Sequence, residues 1–150
     1  MKKILIYFSL LFAFWQAQAI NVQVTLGGDN RTVWPAVAGP EVGNFRWAIT
    51  QLNAAGTGSH TITFAASLNN TTIILDYWEE LLLTTSNVTI DGGTTNVSIE
   101  ESATFGSALV LLDGANNNII KNINWKNNSV FIGALAIASD DNEIVDCSFT

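Results

Sequence analysis

The sequence contains little cysteine, little proline and few basic residues. Of its 150 residues, one is cysteine (Cys147), two are proline, six are Lys or Arg and thirteen are Asp or Glu. A single cysteine excludes an internal disulfide framework and a Cys-rich zinc site. The net charge of −7 excludes the basic stripe that a nucleic-acid backbone requires, so we expect no nucleic-acid partner. With 48% hydrophobic and 13% charged residues, the chain is expected to fold, and its length suits one domain.

The first nineteen residues have the three parts of a secretory signal peptide. Lys2-Lys3 is a short basic start, residues 4–15 are an apolar run too short to span a bilayer, and Ala17-Gln18-Ala19 suits a signal peptidase. We predict that residues 1–19 are removed and that the exported chain begins near Ile20. The alternative is an N-terminal anchor or a buried helix.

The exported part is acidic and has no long apolar run. It keeps four basic residues against thirteen acidic ones, a net charge of −9. No segment after the leader is long and apolar enough for a transmembrane helix, so we expect none in the mature chain. Together with the leader, this predicts a secreted or cell-surface location.

Most of the exported part predicts short β-strands closed by Asn, Asp or Gly. The expected strands are 22–26, 61–64, 71–75, 81–84, 88–90, 97–99, 108–112, 119–125, 134–138 and 143–149. One segment, at about 44–55, instead has apolar residues at the spacing of one helix face. Asn44 suits its N-cap, and Gly56 can adopt a left-handed conformation just beyond its end.

An internal repeat distinguishes among the strand-rich folds. Residues 117–125 align without gaps with residues 141–149, an offset of 24 that pairs Trp125 with Phe149. The apolar runs that precede the two copies are offset by 26. A strand-rich repeat of this length is about one turn of a parallel β-helix, so we predict an all-β parallel β-helix solenoid.

The spacing within the repeat predicts how one turn stacks on the next. Corners at Lys121-Asn122 and Val145-Asp146 keep the apolar residues on both sides of each corner inside the coil. Stacked turns would then place Ile120 on Ile144. Asn118 on Asn142 would form an amide ladder, which stabilises stacked strands and need not mark a binding site.

Part of the sequence resembles the start of bacterial surface β-helix proteins. The resemblance covers roughly residues 40–100 and rests on four segments: Asn44-Phe45-Arg46-Trp47-Ala48-Ile49-Thr50-Gln51-Leu52-Asn53, Gly58-Ser59-His60-Thr61-Ile62-Thr63-Phe64, Thr72-Ile73-Ile74-Leu75 and Asn87-Val88-Thr89-Ile90-Asp91-Gly92. In that family a Ser-Leu-Arg-Glu-Ala-Ile helix precedes an Asp-Thr-Ile-x-Phe strand and a Val-Thr-Ile-Asp-Gly strand. The chain is therefore similar to polymorphic outer-membrane proteins and adhesin-like chains with a pectin-lyase-like fold.

The resemblance implies a right-handed β-helix whose first turn is covered by the helix at about 44–55. An uncovered sheet edge promotes aggregation, so such a helix acts as a structural cap rather than a ligand site. The expected organisation is a signal peptide at 1–19, an N-terminal strand and capping-helix region at 20–60, and β-helix coils at 61–150. We expect these coils to continue, so that the chain is the N-terminal part of a larger exported protein.

The acidic residues Asp140, Asp141 and Glu143 are weak candidates for binding calcium, which favours hard oxygen ligands. The adjacent aspartates also resemble a glycoside hydrolase pair, but they precede a repeat, where such residues bond their own backbone in a turn. His60 has no nucleophile placed beside it by any motif, so a surface or packing role is expected. We therefore predict no catalytic residue and no bound cofactor other than a possible calcium ion.

Tyr77 and Trp78, followed by two glutamates, are candidates for contacting a glycan; the alternative is a solvated loop between coils. Our leading hypothesis for the function is a structural or adhesin-type surface domain, with an extracellular glycan or a host or cell-surface component as partner. The second hypothesis is a carbohydrate-active enzyme, a polysaccharide lyase or glycoside hydrolase whose active site lies on coils beyond this sequence. The third is a glycan-binding module that uses Tyr77 and Trp78.

Overall fold

The structure is a computed structural model that describes residues 18–29, 41–75, 80–101, 109–127 and 133–150. In this part of the chain, one α-helix and twelve strands alternate with turns. The helix is α1 (Phe45–Ala55), and a short 3₁₀ helix covers Ala66–Leu68. The strands are β1 (Asn21–Val24), β2 (His60–Phe64), β3 (Thr72–Leu75), β4 (Leu81–Leu83), β5 (Val88–Asp91), β6 (Ser98–Glu101), β7 (Leu109–Leu111), β8 (Ile119–Lys121), β9 (Asn124–Asn127), β10 (Leu135–Ile137), β11 (Glu143–Val145) and β12 (Ser148–Phe149).

The strands form three parallel sheets. Sheet A has the order β1-β2-β5-β8-β11, sheet B the order β3-β6-β9-β12, and sheet C the order β4-β7-β10. From β2 onward, each successive strand enters the next sheet in the fixed rotation A, B, C. The fold is therefore all-β and parallel, with a single α-helix in the described residues.

The sequence repeat fixes the register of the last strands. Ile144 pairs with Ile120 in sheet A, and Phe149 pairs with Trp125 in sheet B, each at an offset of 24. In sheet C, Leu135 pairs with the residue 26 positions earlier. These pairings confirm the predicted registers, because like apolar side chains gain most burial when they lie beside one another.

The core lies between the three sheets. Strands alternate buried and less buried residues, so every second side chain points inward. Most inward positions carry Ile, Leu or Val, and the largest buried side chain is Trp125. Phe45 of α1 packs on Phe64 with ring centroids 5.8 Å apart, which joins the helix to the same core.

Corners of left-handed backbone turn the chain from one sheet to the next. Asn122 has a φ of 58° and Asp146 a φ of 50°, at the two positions where the repeat predicts corners. Each predicted long strand is therefore divided in two, with the first half in sheet A and the second in sheet B. Asn and Asp suit these positions because their short side chains tolerate positive φ.

The stack of Asn118 and Asn142 differs in detail from the predicted amide ladder. Asn142 Oδ1 accepts from the main-chain N–H of Asn118 at 2.9 Å, and Asn118 Oδ1 accepts in turn from Val88 N–H at 2.8 Å. Asn118 Nδ2 donates to the carbonyl oxygen of Ala115 rather than to the side chain of another asparagine. A side-chain ladder occurs instead beside sheet B, where three asparagines and a serine are linked in order: Asn70, Asn96, Asn124 and Ser148.

One end of the sheets is covered. Strand β1 adds to sheet A, Gly28 makes a parallel bridge to Ile74 in sheet B, and α1 packs against β4 of sheet C. Asn44 caps α1 as predicted, with its Oδ1 accepting from Trp47 N–H at 2.7 Å. Gly56 follows the helix with a positive φ of 74°. We call this end, formed by β1, α1 and Gly28, the covered end.

A buried ion pair fastens α1 to the segment after β1. Arg46 Nε lies 3.0 Å and 2.9 Å from the two carboxylate oxygens of Asp29, and its Nη2 lies 2.7 Å from Asp29 Oδ2. Asp29 is 4% exposed and Arg46 is 6% exposed. Removal of either partner would leave a buried charge, so this pair fixes where the helix sits.

Candidate functional site

The end of the sheets opposite the covered end exposes the core. Strands β10, β11 and β12 are the last in their sheets, and their inward side chains are partly open to solvent: Ile137 44%, Ile144 37% and Phe149 55%. The residues that occupy the same positions one strand earlier are fully buried: Leu111, Ile120 and Trp125. Equivalent inward positions are thus fully buried in one layer of strands and exposed in the next layer. We call this surface of β10, β11 and β12 the open end.

A cavity of about 320 Å³ lies at the open end. Its lining comes from strands of sheets B and C and the segments beside them: Trp125, Gly133, Ala134, Leu135, Phe149 and Thr150. Trp125 is fully buried, yet its indole Nε1 makes no hydrogen bond in the part of the chain that the structure describes. Such a cavity suits an apolar side chain with a hydrogen-bond acceptor near it.

Acidic residues surround the open end. Asp140, Asp141, Glu143 and Asp146 are all exposed, and residues 133–150 contain no Lys, Arg or His. Strand edges with free N–H and C=O groups, exposed apolar side chains and a negative rim together make a template for further β-strands.

A buried carboxyl group lies at the last residue of β6, an inner strand of sheet B. Glu101, the last residue of β6, pairs with Leu75 and points inward, so it occupies a core position. It is 4% exposed, and its Oε2 makes no hydrogen bond among the described residues. Burial raises the pKa of the Glu101 carboxyl group above its ordinary value of 4.5, and the nearby charge of Glu80 raises it further. Glu101 therefore holds a proton more tightly than an exposed glutamate does.

The calcium candidates Asp140, Asp141 and Glu143 lie together in the turn before β11 and in its first residue. Asp141 has a left-handed φ of 56°, and Asp140 N–H donates to Asn116 Oδ1 at 3.0 Å, so both aspartates take part in the turn through their main chain. All three side chains are exposed. Across the described ranges, no three His, Cys, Asp or Glu side chains are close enough together to hold a metal ion. Calcium binding remains a prediction.

The other residues singled out by the sequence are placed as follows. Tyr77 and Trp78 lie outside the described residues. His60 is buried at 1% exposure and has a packing role, with main-chain partners on both ring nitrogens. Cys147 is half-buried against the core, with its Sγ 3.6 Å from the carbonyl oxygen of Ile120. Lys121, at a predicted corner, lies 3.1 Å from Asp91 Oδ2 and keeps more than a third of its side chain exposed.

Sequence reasoning did not identify two features that the structure brings out: the inward Glu101 and the Asp29–Arg46 ion pair. The first had a signal in the sequence, since Ser98-Ile99-Glu100-Glu101 places an acid two residues after an inward isoleucine. The ion pair had none, because its partners lie 17 residues apart and meet only through tertiary packing.

The comparisons with known proteins identify no relative. No protein-family model matches the chain, and no curated protein or solved structure is significantly similar to it. The α-helix of the described chain has 11 residues, about 16 Å of length, and no helix in the described ranges has the length and apolar character that a membrane span needs.

Proposed function

We propose that the chain is an exported right-handed parallel β-helix domain of structural or adhesin type. In this proposal it is the N-terminal part of a larger surface protein, as in the polymorphic outer-membrane and adhesin-like proteins that it resembles. The observations that support a β-helix are the fixed rotation of strands through three parallel sheets and the corners between them. A solenoid of this kind gains its rigidity from stacked side chains and needs no catalytic centre.

One observation carries the proposal: the two ends of the sheets differ. The covered end has its strand edges occupied by β1 and α1, whereas the open end leaves inward positions such as Ile144 and Phe149 exposed. The occupant that we infer for the open end is a further set of parallel strands of the same polypeptide. Those strands would stack apolar residues on Ile137, Ile144 and Phe149 as these stack on the preceding layer.

Two neighbouring residues make a matched test. Ile144 and Val145 are both 37% exposed, but Ile144 points inward beside Ile120, whereas Val145 points outward beside Lys121. In the native exported protein with Cys147→Ala, we expect Ile144→Cys to be protected from maleimide and Val145→Cys to react fully. Equal reactivity at the two positions would contradict the proposal. Protection of Ile144→Cys that disappears on dilution would indicate a second copy instead, and would also contradict it.

Export is tested separately. We expect N-terminal sequencing of the secreted protein to begin at Ile20, and protease added to intact cells to degrade it if it is attached to the surface. An unprocessed N-terminus together with full protection from protease would reject the proposed location.

The second candidate function is a carbohydrate-active enzyme, a polysaccharide lyase or glycoside hydrolase, whose active site lies on coils beyond this sequence. The test is to incubate the native secreted protein with pectins and other polysaccharides and to measure new reducing ends and unsaturated products. The appearance of such products would support the enzyme and overturn the structural proposal; the absence of products would reject the enzyme.

A further inference from the structure

The main chain of Ile20 is held by the side chain of a buried histidine. Its N–H donates to His60 Nδ1 at 3.3 Å, and its carbonyl oxygen accepts from Thr61 N–H at 3.0 Å. Gln18 and Ala19 are exposed, whereas Ile20 packs against the core. The boundary between exposed and packed chain thus falls at the Ala19–Ile20 peptide bond, which is the bond where the sequence predicts removal of the leader.

His60 is 1% exposed and uses both ring nitrogens. Its Nε2 lies 3.0 Å from the carbonyl oxygen of Gly56. Because a carbonyl oxygen only accepts, Nε2 carries the proton and Nδ1 is the acceptor, which matches the Ile20 N–H. A Cβ at Gly58 would lie 2.9 Å from His60 Cε1, so this glycine leaves the imidazole its space.

The surroundings of His60 favour a positive charge on Ile20. Gly56 directly follows α1, so the imidazole contacts the carbonyl end of the helix, which carries partial negative charge. Of the charged side chains on neighbouring elements, Arg46 of α1 is bound to Asp29, and Asp91 at the far end of β5 is bound to Lys121.

We propose that removal of the leader gives His60 a cationic ligand, the new α-ammonium group of Ile20, and that this contact locks α1 to the first strands of sheet A. Hydrolysis of the Ala19–Ile20 bond consumes one water, whose oxygen becomes part of the Ala19 carboxylate and whose two hydrogens end on the Ile20 nitrogen, which becomes an ammonium group. One of its N–H groups keeps the hydrogen bond to Nδ1, which is now charge-assisted and stronger. An α-amino group with a pKa near 8 is mostly protonated at neutral pH, as this requires.

This inference rests on the proposed export and adds to it a role for the processed terminus. The test compares three forms of the exported chain: one that begins at Ile20, one that begins at Ala19, and one that begins at Ile20 with an acetylated amine. We expect the first to have an unfolding equilibrium constant about fivefold smaller than the other two, because only it gives His60 a charged donor. His60→Ala should abolish this difference, whereas His60→Asn, which keeps an acceptor near the position of Nδ1, should retain part of it.

Equal stability of the three forms, or a difference that persists in His60→Ala, would overturn the inference. If His60→Ala does not fold, ¹⁵N NMR of the unmutated chain decides: the Nδ1 resonance of His60 must shift between the Ile20 and Ala19 forms, and an unchanged resonance would reject the contact. A chain released from a fusion partner at Ile20 provides the sample without export. Failure of the proposed cleavage is therefore seen in N-terminal sequencing of the secreted protein, independently of this result.

Discussion

The side-chain amide of Asn53 on α1 makes two hydrogen bonds with the edge of β4 that a further strand would otherwise make. Its Nδ2 donates to the carbonyl oxygen of Leu82 at 2.7 Å, and its Oδ1 accepts from Thr84 N–H at 3.0 Å. Thr85 Oγ1 adds a bond to Leu52 O at 3.2 Å. The helix thus covers the edge of sheet C both with its apolar face and with side-chain hydrogen bonds to the main chain of that edge. Because these main-chain groups are occupied, the edge is less able to pair with another chain and aggregate.

Asn53→Ala should weaken this end locally. We expect a loss of about 1 kcal/mol in the free energy of unfolding, because two hydrogen bonds are replaced by bonds to water. Hydrogen exchange at the Thr84 amide should become faster, while exchange at amides of the central strand β7 should change only with the global stability. Gln51→Ala on the same helix is the control. Unchanged exchange at Thr84 would show that Asn53 does not protect the edge.

Gly92→Ala should be strongly destabilising. A Cβ at Gly92 would overlap the carbonyl oxygen of Asn122 in the next layer, whereas a Cβ at Gly93 meets nothing within 4 Å. We expect Gly92→Ala to cost about 3 kcal/mol, measured by chemical denaturation. Gly93→Asn is the matched control and should be nearly neutral, since Gly93 has a φ of 58° and Asn already occupies such corners elsewhere. Equal effects of the two substitutions would show that these layers do not approach so closely.

Glu101→Gln should stabilise the fold at neutral pH. Because burial raises the pKa of Glu101, the folded chain binds its proton more tightly than the unfolded chain does. The stability of the unmutated protein therefore falls as the pH rises from about 4.5 through the raised pKa, and it stays lower above that value. We expect a gain of about 1 kcal/mol for the variant at pH 7 that shrinks toward pH 4. Glu100→Gln, on the outward face of β6, is the control; a gain that does not depend on pH would contradict the assignment.

The open end should make residues 20–150, expressed alone, associate in solution. Ile144→Lys should reduce this association, because it places a charge on the exposed core that two copies would otherwise bury. Val145→Lys, with the same exposure but an outward side chain, should reduce it less. Sedimentation velocity of the two variants provides the measurement. Monodisperse behaviour of the unmutated segment would contradict the exposed core as a cause of association.

The sequence predicted the last two layers of the fold better than the first ones. The pairs Ile119–Glu143 and Asn124–Ser148 share one offset of 24, so their repeat is visible without a structure. Earlier offsets vary: β5 follows β2 by 28 positions, and β8 follows β5 by 30. Because the corners differ in length while the strands keep their register, no single period describes the chain, and these earlier pairings could not be read from the sequence.

The sequence alone predicted less of the candidate site than of the fold. The strand predicted at 97–99 ends before Glu101, so only the pairing of Glu101 with Leu75 shows that β6 continues and that Glu101 faces inward. The repeat shows from the sequence that Phe149 occupies the same position as Trp125. The rim of acids at the open end and the cavity beside Trp125 required the three-dimensional arrangement of β10, β11 and β12.

Paired-cysteine cross-linking measures the parallel stacking of successive strand triplets, on which both the fold and the proposed function depend. In a Cys147→Ala background, Asn124→Cys with Ser148→Cys and Val110→Cys with Ala136→Cys place cysteines in register on neighbouring strands of sheets B and C. Neighbouring strands lie about 4.8 Å apart, within the range of a disulfide. Parallel stacking predicts that both registered pairs form disulfides and that the swapped pairs, Asn124→Cys with Ala136→Cys and Val110→Cys with Ser148→Cys, do not. Efficient disulfide formation in the swapped pairs, with none in the registered pairs, would contradict it.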